Sequence, residues 1–152
     1  MGSLSGYTST SYIRTLSSVN KFQAIDELAR VYEGTDICSD VDVLIKSLKE
    51  REELMSTGIG FGIAIPHAKI ADISALSFAI GISKAGINFD SMDGAPVHLL
   101  ILVVAGEKQH REYLGLLSNI MSMLKKNEVK EQIISSVSPD EVMAILKEYN
   151  VK

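Results

Sequence analysis

Ser56-Thr57-Gly58-Ile59-Gly60-Phe61-Gly62-Ile63-Ala64-Ile65-Pro66-His67 is the stretch on which the reading of this 152-residue chain turns. Glycine stands at 58, 60 and 62, which permits backbone angles closed to other residues or a close approach by another group. Ile63-Ala64-Ile65 then reads as a short apolar strand. Proline has no amide hydrogen to give a ladder and fixes its own φ, so the strand is expected to stop at Pro66 and present His67 at a rigidly set edge.

Downstream, residues 76–83 and 97–104 read as strands, separated by Gly86 and the turn-like Ser91-Met92-Asp93-Gly94. The second is nearly all apolar, which predicts a central strand covered on both faces and therefore helices on both sides of the sheet. Upstream, residues 12–16 read as a first strand. Asn20 with Gln23 forms a helix-capping pair, and the helix reaches about Tyr32 with Phe22, Ile25, Leu28 and Ala29 on one stripe before Gly34 stops it. Asp40 caps a second helix that buries Val41, Leu44, Ile45 and Leu48 and continues into the charged residues 49–53. A long helix over about 109–125 is expected to turn Leu114, Leu117, Met121 and Leu124 to the core. The last helix begins at Ser138-Pro139-Asp140-Glu141, where serine caps and proline occupies the first turn, with Val142, Ile145 and Leu146 inward.

This order lacks strict βαβ alternation. It predicts an α/β fold, a three-layer α/β/α sandwich with a mixed central sheet, as a single domain over 11–152 after a flexible arm over 1–10. At 46% apolar and 22% charged residues the composition is that of a globular protein. The net charge of -4 argues against partners bound through an anionic backbone or surface, so neither nucleic acid nor direct membrane insertion is expected. The single Cys38 can form no internal disulfide or thiolate cluster, and no apolar run approaches the roughly 20 residues of a bilayer span, so a cytoplasmic location is expected.

Three histidines carry the available chemistry: His67, His98 and His110. His98 lies inside an apolar strand and receives no role. No metal-ligand spacing links the three, so neither a metal nor a cofactor is expected. His67 differs by context. A neutral imidazole is a nucleophile at physiological pH, and its two nitrogens can divide the labour, one attacking phosphorus while an acceptor holds the other. Thr57 and the amides of the glycine-rich stretch offer hydrogen-bond donors, and Arg51 offers a planar charged fork.

Arg51-Glu52, Ser56-Thr57-Gly58-Ile59-Gly60 and Gly62-Ile63-Ala64-Ile65-Pro66-His67-Ala68, at this spacing, resemble the fructose/mannitol-type enzyme IIA domains of the bacterial sugar phosphotransferase system, including their nitrogen-regulatory branch. The likeness extends to Asn20-Lys21, to Phe89 and Asp93-Gly94-Ala95-Pro96-Val97, and to the helix that opens at His110. It implies that His67 accepts a phosphoryl group from the phosphohistidine of HPr and gives it to a IIB domain (EIIB), with Arg51 and His110 as helpers and Thr57 as a hydrogen-bonding member of the site. The alternative it implies is a regulatory protein whose phosphorylation state controls binding to target proteins. A transient docking surface follows, for which Met55, Ile59 and Phe61 are candidates.

Overall fold

The computed structural model describes residues 4–149 and has the expected sandwich. Strand β1 (Ile13–Thr15) leads to α1 (Lys21–Ala29) and α2 (Val41–Leu54), then to β2 (Gly58–Gly60), β3 (Ile63–Ala64), β4 (His67–Lys69), β5 (Ser77–Ile87) and β6 (Val97–Ala105). Helices α3 (His110–Leu124), α4 (Asn127–Ile134) and α5 (Pro139–Glu148) complete the chain among the described residues. The sheet runs β1-β5-β6-β3-β2, with β4 also on β6. It is mixed: β1 is parallel to β5, β5 antiparallel to β6, and β3 and β4 parallel to β6.

β6, apolar but for His98, is central, as its composition requires, and Leu99 to Ala105 are fully buried. One face of the sheet packs against α1 and α2 through Ile25, Leu28, Leu44 and Leu48, and the other against α3, α4 and α5 through Leu116, Ile120, Ile133 and Leu146. The three expected helix caps are present: the Asn20, Asp40 and Ser138 side chains accept from Phe22, Asp42 and Glu141 amides. Each such cap contributes about 1 kcal/mol.

Four expectations are corrected. Pro66 interrupts its strand without ending the pairing: β3 stops at Ala64, but β4 resumes on β6 at His67, with Ile63 opposite Leu99 and His67 opposite Val103 in one register. Only a proline's amide is missing from a ladder. Its carbonyl still accepts from the Val103 amide at 3.0 Å. The inward stripe of α3 is Tyr113, Leu116, Ile120, Met123 and Leu124, leaving Leu114 exposed and Leu117 and Met121 partly buried. Phe22 is only half-buried, and Ala24 joins Ile25, Leu28 and Ala29 beneath α1. The arm is docked rather than loose from Leu4 onward: Leu4 is 1% exposed in the core beneath α3 and α5, while residues 1–3 of that expected segment, like 150–152, lie outside the described residues.

One carboxyl of α1, Glu27, titrates against the loop before the helix. Partial burial pushes the Glu27 carboxyl up, but the hydroxyl and amide of Ser18, with those of Ser17, outweigh it and hold the group below its ordinary value of 4.5. A depressed carboxyl contributes stability that is full above the unfolded-state value and is lost as pH falls through the folded one. Glu27→Gln is therefore expected to flatten the fall of the thermal midpoint between about pH 5 and pH 3, measured by circular dichroism.

Candidate functional site

The glycine-rich stretch folds as a tight hairpin. Gly58 pairs with Ala64 and Gly60 with Ile63, so the turn residues are Phe61 and Gly62, at φ 59° and 79°. Two positive φ values in succession are what a two-residue hairpin of matching twist requires. For phenylalanine that conformation costs about 1–2 kcal/mol. Charged groups hold it: the Asp93 carboxylate accepts from the Phe61 amide at 3.0 Å, and Lys130 donates to the Phe61 carbonyl at 2.9 Å. The Phe61 and Ala95 amides in turn keep the Asp93 carboxyl below its ordinary value.

From this hairpin the chain runs through β3 and β4 with side chains alternating between the two faces. Ala64 and Ala68 enter the α1–α2 core, while Ile63 and Ile65 face α3. His67 and Lys69 share the parity of the second set, and both meet α3. The His67 ring lies 6.0 Å from the Tyr113 ring between centroids, and Lys69 Nζ is 2.7 Å from His110 Nδ1. The His110 and Tyr113 rings are 6.4 Å apart. His110 is the first residue of α3, whose N-cap Gln109 makes no side-chain cap, so the amides of that turn and their partial positive charge face the same region.

Hydrogen bonding assigns the protons. His67 Nδ1 lies 2.9 Å from the Ile65 carbonyl. A carbonyl only accepts, so Nδ1 carries the hydrogen and Nε2 of the neutral ring keeps a lone pair. An ammonium only donates, so Lys69 makes His110 Nδ1 the acceptor and puts that ring's hydrogen on Nε2. One imidazole is thereby left with a lone pair to offer and the other with an N–H to give. Burial pushes the Tyr113 phenol up, against the pull of the nearby Arg51 charge, so the hydroxyl stays neutral. Arg51 stands on the last turn of α2, where its guanidinium donates to the Met55 carbonyl at 2.8 Å, leaving most of its donors for another acceptor.

Of the residues singled out in the sequence, His67 and His110 flank one aromatic ring, and Arg51 acts on that ring's hydroxyl. Thr57 stands differently. Its side chain is buried and its hydroxyl donates at 2.6 Å to Glu52 Oε1, so it is committed to the scaffold rather than offered to a ligand. His98 is apart: its Nδ1 is tied to the Ser83 carbonyl at 2.8 Å, five residues along β6 from the partner of His67, about 16 Å at strand rise. Among the described residues no three His, Cys, Asp or Glu side chains group as metal ligands. Two members of the site escaped the sequence reading. Lys69 was accessible through period-two alternation from His67, and Tyr113 through the three-residue step from His110 on a helix.

A nucleophilic imidazole among an arginine, a lysine, a second imidazole and a helix N-terminus suits an incoming phosphoryl group. Leu54 and Met55, next to Arg51 at the end of α2, and Leu114, next to Tyr113 on α3, are 83%, 70% and 50% exposed, a pattern suited to transient protein contact. Among the described residues no helix is long and apolar enough to cross a membrane.

Similarity to known proteins points the same way. The family described as "Phosphoenolpyruvate-dependent sugar phosphotransferase system, EIIA 2" matches residues 7–149. The chain is 33% identical over 135 residues to the fructose-specific EIIABC component of the PTS system of Bacillus subtilis, covering 89% of this chain and 21% of that protein, so it spans about a fifth of that relative's length. Nitrogen regulatory protein IIA-Ntr from Neisseria meningitidis superposes with a TM-score of 0.87 at 27% identity, covering 94% of this chain and 98% of that one. Enzyme IIA for mannitol of Escherichia coli, solved in complex with phosphorylated enzyme IIB, shares the fold with a TM-score of 0.80 at 18% identity over 93% of this chain and 97% of that one. With its sandwich and nearly its whole described length matched, this chain belongs to the EIIA 2 family of the phosphoenolpyruvate-dependent sugar phosphotransferase system, a family of phosphoryl-transfer components.

Proposed function

We propose that this protein carries a phosphoryl group on Nε2 of His67, taking it from phosphorylated HPr and giving it to an EIIB domain in the cytoplasm, in support of sugar uptake. The observation that carries this reading is the Ile65 carbonyl on Nδ1, which leaves Nε2 as the only ring nitrogen with a free lone pair. Nε2 attacks phosphorus, the phosphorus–nitrogen bond of the donor phosphohistidine breaks, and its electron pair returns to the donor ring. The donor ring loses its positive charge as the His67 ring gains one, so no proton need move. Arg51, the Nε2–H of His110 and the α3 amides stabilise the charge spread over the phosphoryl oxygens during transfer. The second step repeats this in reverse toward the EIIB acceptor. The IIA–IIB complex of the mannitol relative motivates that choice of acceptor.

The test is incubation with enzyme I, HPr and labelled phosphoenolpyruvate, followed by mapping of an acid-labile modification to His67. Absence of label on the intact protein overturns the reading. Lys69 gives a graded check: Lys69→Met removes the donor that holds His110 Nδ1, and the rate of label transfer from HPr is expected to fall about tenfold. The likeness to a nitrogen regulatory protein favours a second reading, in which phosphate on the same His67 switches binding to regulatory target proteins. Label that enters His67 but does not pass to any EIIB would favour the switch.

A further inference from the structure

Beside Arg51 the chain buries an ionisable side chain that the transfer step does not use. Glu52 is 2% exposed, and its side chain is wholly enclosed. A carboxylate leaves water at such a position only where donors replace its hydration. Here Oε2 accepts from the Thr57 amide at 2.9 Å and Oε1 from the Thr57 hydroxyl at 2.6 Å, while Lys21 Nζ stands 3.5 Å from Oε2. Both donors of Thr57 are thus taken, and its carbonyl remains. That carbonyl accepts from the Ile65 amide at 3.0 Å. The Ile65 carbonyl in turn accepts from His67 Nδ1 at 2.9 Å. The links run from Glu52 through Thr57 and Ile65 to the imidazole without a gap.

Their place in the sheet explains why they matter. Pro66 carries the carbonyl that accepts from β6, whereas the Ile65 amide points to the other side, toward Thr57 just before β2. Ile65 lies between β3 and β4: Thr57 holds its amide, in the Ala64–Ile65 peptide, and the carbonyl that meets His67 belongs to the next peptide, one Cα away. Thr57 has no freedom to turn while Glu52 grips it at two points.

We infer that Glu52 is a positioning residue for His67: it locks Thr57, which fixes the Ile65 amide and, across the Ile65 Cα, the direction of the carbonyl that keeps the imidazole as the Nδ1–H tautomer with the Nε2 lone pair outward. The inference rests on His67 being the residue that bears phosphate, but its first readout needs no phosphate. In long-range nitrogen–proton correlation spectra of the unphosphorylated protein, the wild type is expected to show His67 as a single Nδ1–H tautomer. Glu52→Ala, which strips both acceptors from Thr57, is expected to give a mixture of tautomers and to slow label transfer from HPr about tenfold or more. Glu52→Gln keeps an acceptor for the Thr57 amide and is expected to fall between. If Glu52→Ala does not fold, Thr57→Val, which removes only the hydroxyl link, is read in the same two ways.

A folded variant that retains one Nδ1–H tautomer and transfers label within twofold of the wild type overturns the positioning role. A wild type that takes no label overturns the carrier reading instead, whatever its tautomer, so the two failures are told apart.

Discussion

A His67→Ala protein incubated with enzyme I, HPr and labelled phosphoenolpyruvate is expected to take up no label above background while melting within a few degrees of the wild type. The loss is complete because no other histidine can stand in. His98 has Nδ1 tied to the Ser83 carbonyl and lies about 16 Å along the sheet. His110 has its acceptor nitrogen occupied by Lys69 and a hydrogen on the other, so it has no lone pair to offer. The fold is expected to survive because His67 is only partly buried and its side-chain hydrogen bond to the Ile65 carbonyl contributes about 1 kcal/mol. Label retained by the variant, mapped to His110, would move the nucleophile across Tyr113 and overturn the tautomer argument.

Arg51→Ala is expected to slow transfer from HPr by about 100-fold, the usual cost of removing a preorganised donor from developing negative charge. Its hydrogen bond to the Met55 carbonyl holds the guanidinium at the end of α2, and the other N–H groups of the fork suit the oxygens of a phosphoryl group. Arg51→Lys should recover part of that loss, since an ammonium restores charge but cannot anchor to Met55 and clasp two oxygens in one plane. Stability should change little, because a cation on the last turn of an exposed helix end contributes about 0.3–1 kcal/mol through the helix dipole. Quench-flow label transfer measures the rate, and rates within twofold of the wild type for Arg51→Ala would remove the guanidinium from the mechanism.

Much of the architecture is legible in local chemistry. The unbroken apolar run of β6 demands cover on both faces, and Asn20, Asp40 and Ser138 announce helices whose amides they cap. The choice of inward face on α3 is not legible, because Tyr113, Leu116 and Ile120 compete with Leu114, Leu117 and Met121 on adjacent rows, and packing against the sheet decides between them. Pro66 misleads for a related reason: the lost amide is local, but the continuous pairing of β3 and β4 with β6 is a property of the neighbouring strand. In the site, His67 and Arg51 can be named from their motif, whereas the contact of Lys69 with His110 joins residues 41 apart in sequence and exists only once α3 is docked. Thr57 shows the opposite failure. Its type and place suit an oxyanion, yet a buried carboxylate five residues earlier has already claimed its hydroxyl.

The alternation along β3 and β4, with Ile63, Ile65, His67 and Lys69 to one side and Ala64 and Ala68 to the other, makes the count of residues here as consequential as their identity. Deleting or inserting a single residue between Gly62 and His67 would turn the reactive ring into the aliphatic interior beneath α1 and α2 and swing an alanine out in its stead. In the short bend between α3 and α4, the same edit would merely shorten or lengthen a surface excursion. Changes of length are therefore expected to be tolerated on the helical side and not in the run from the hairpin to the imidazole.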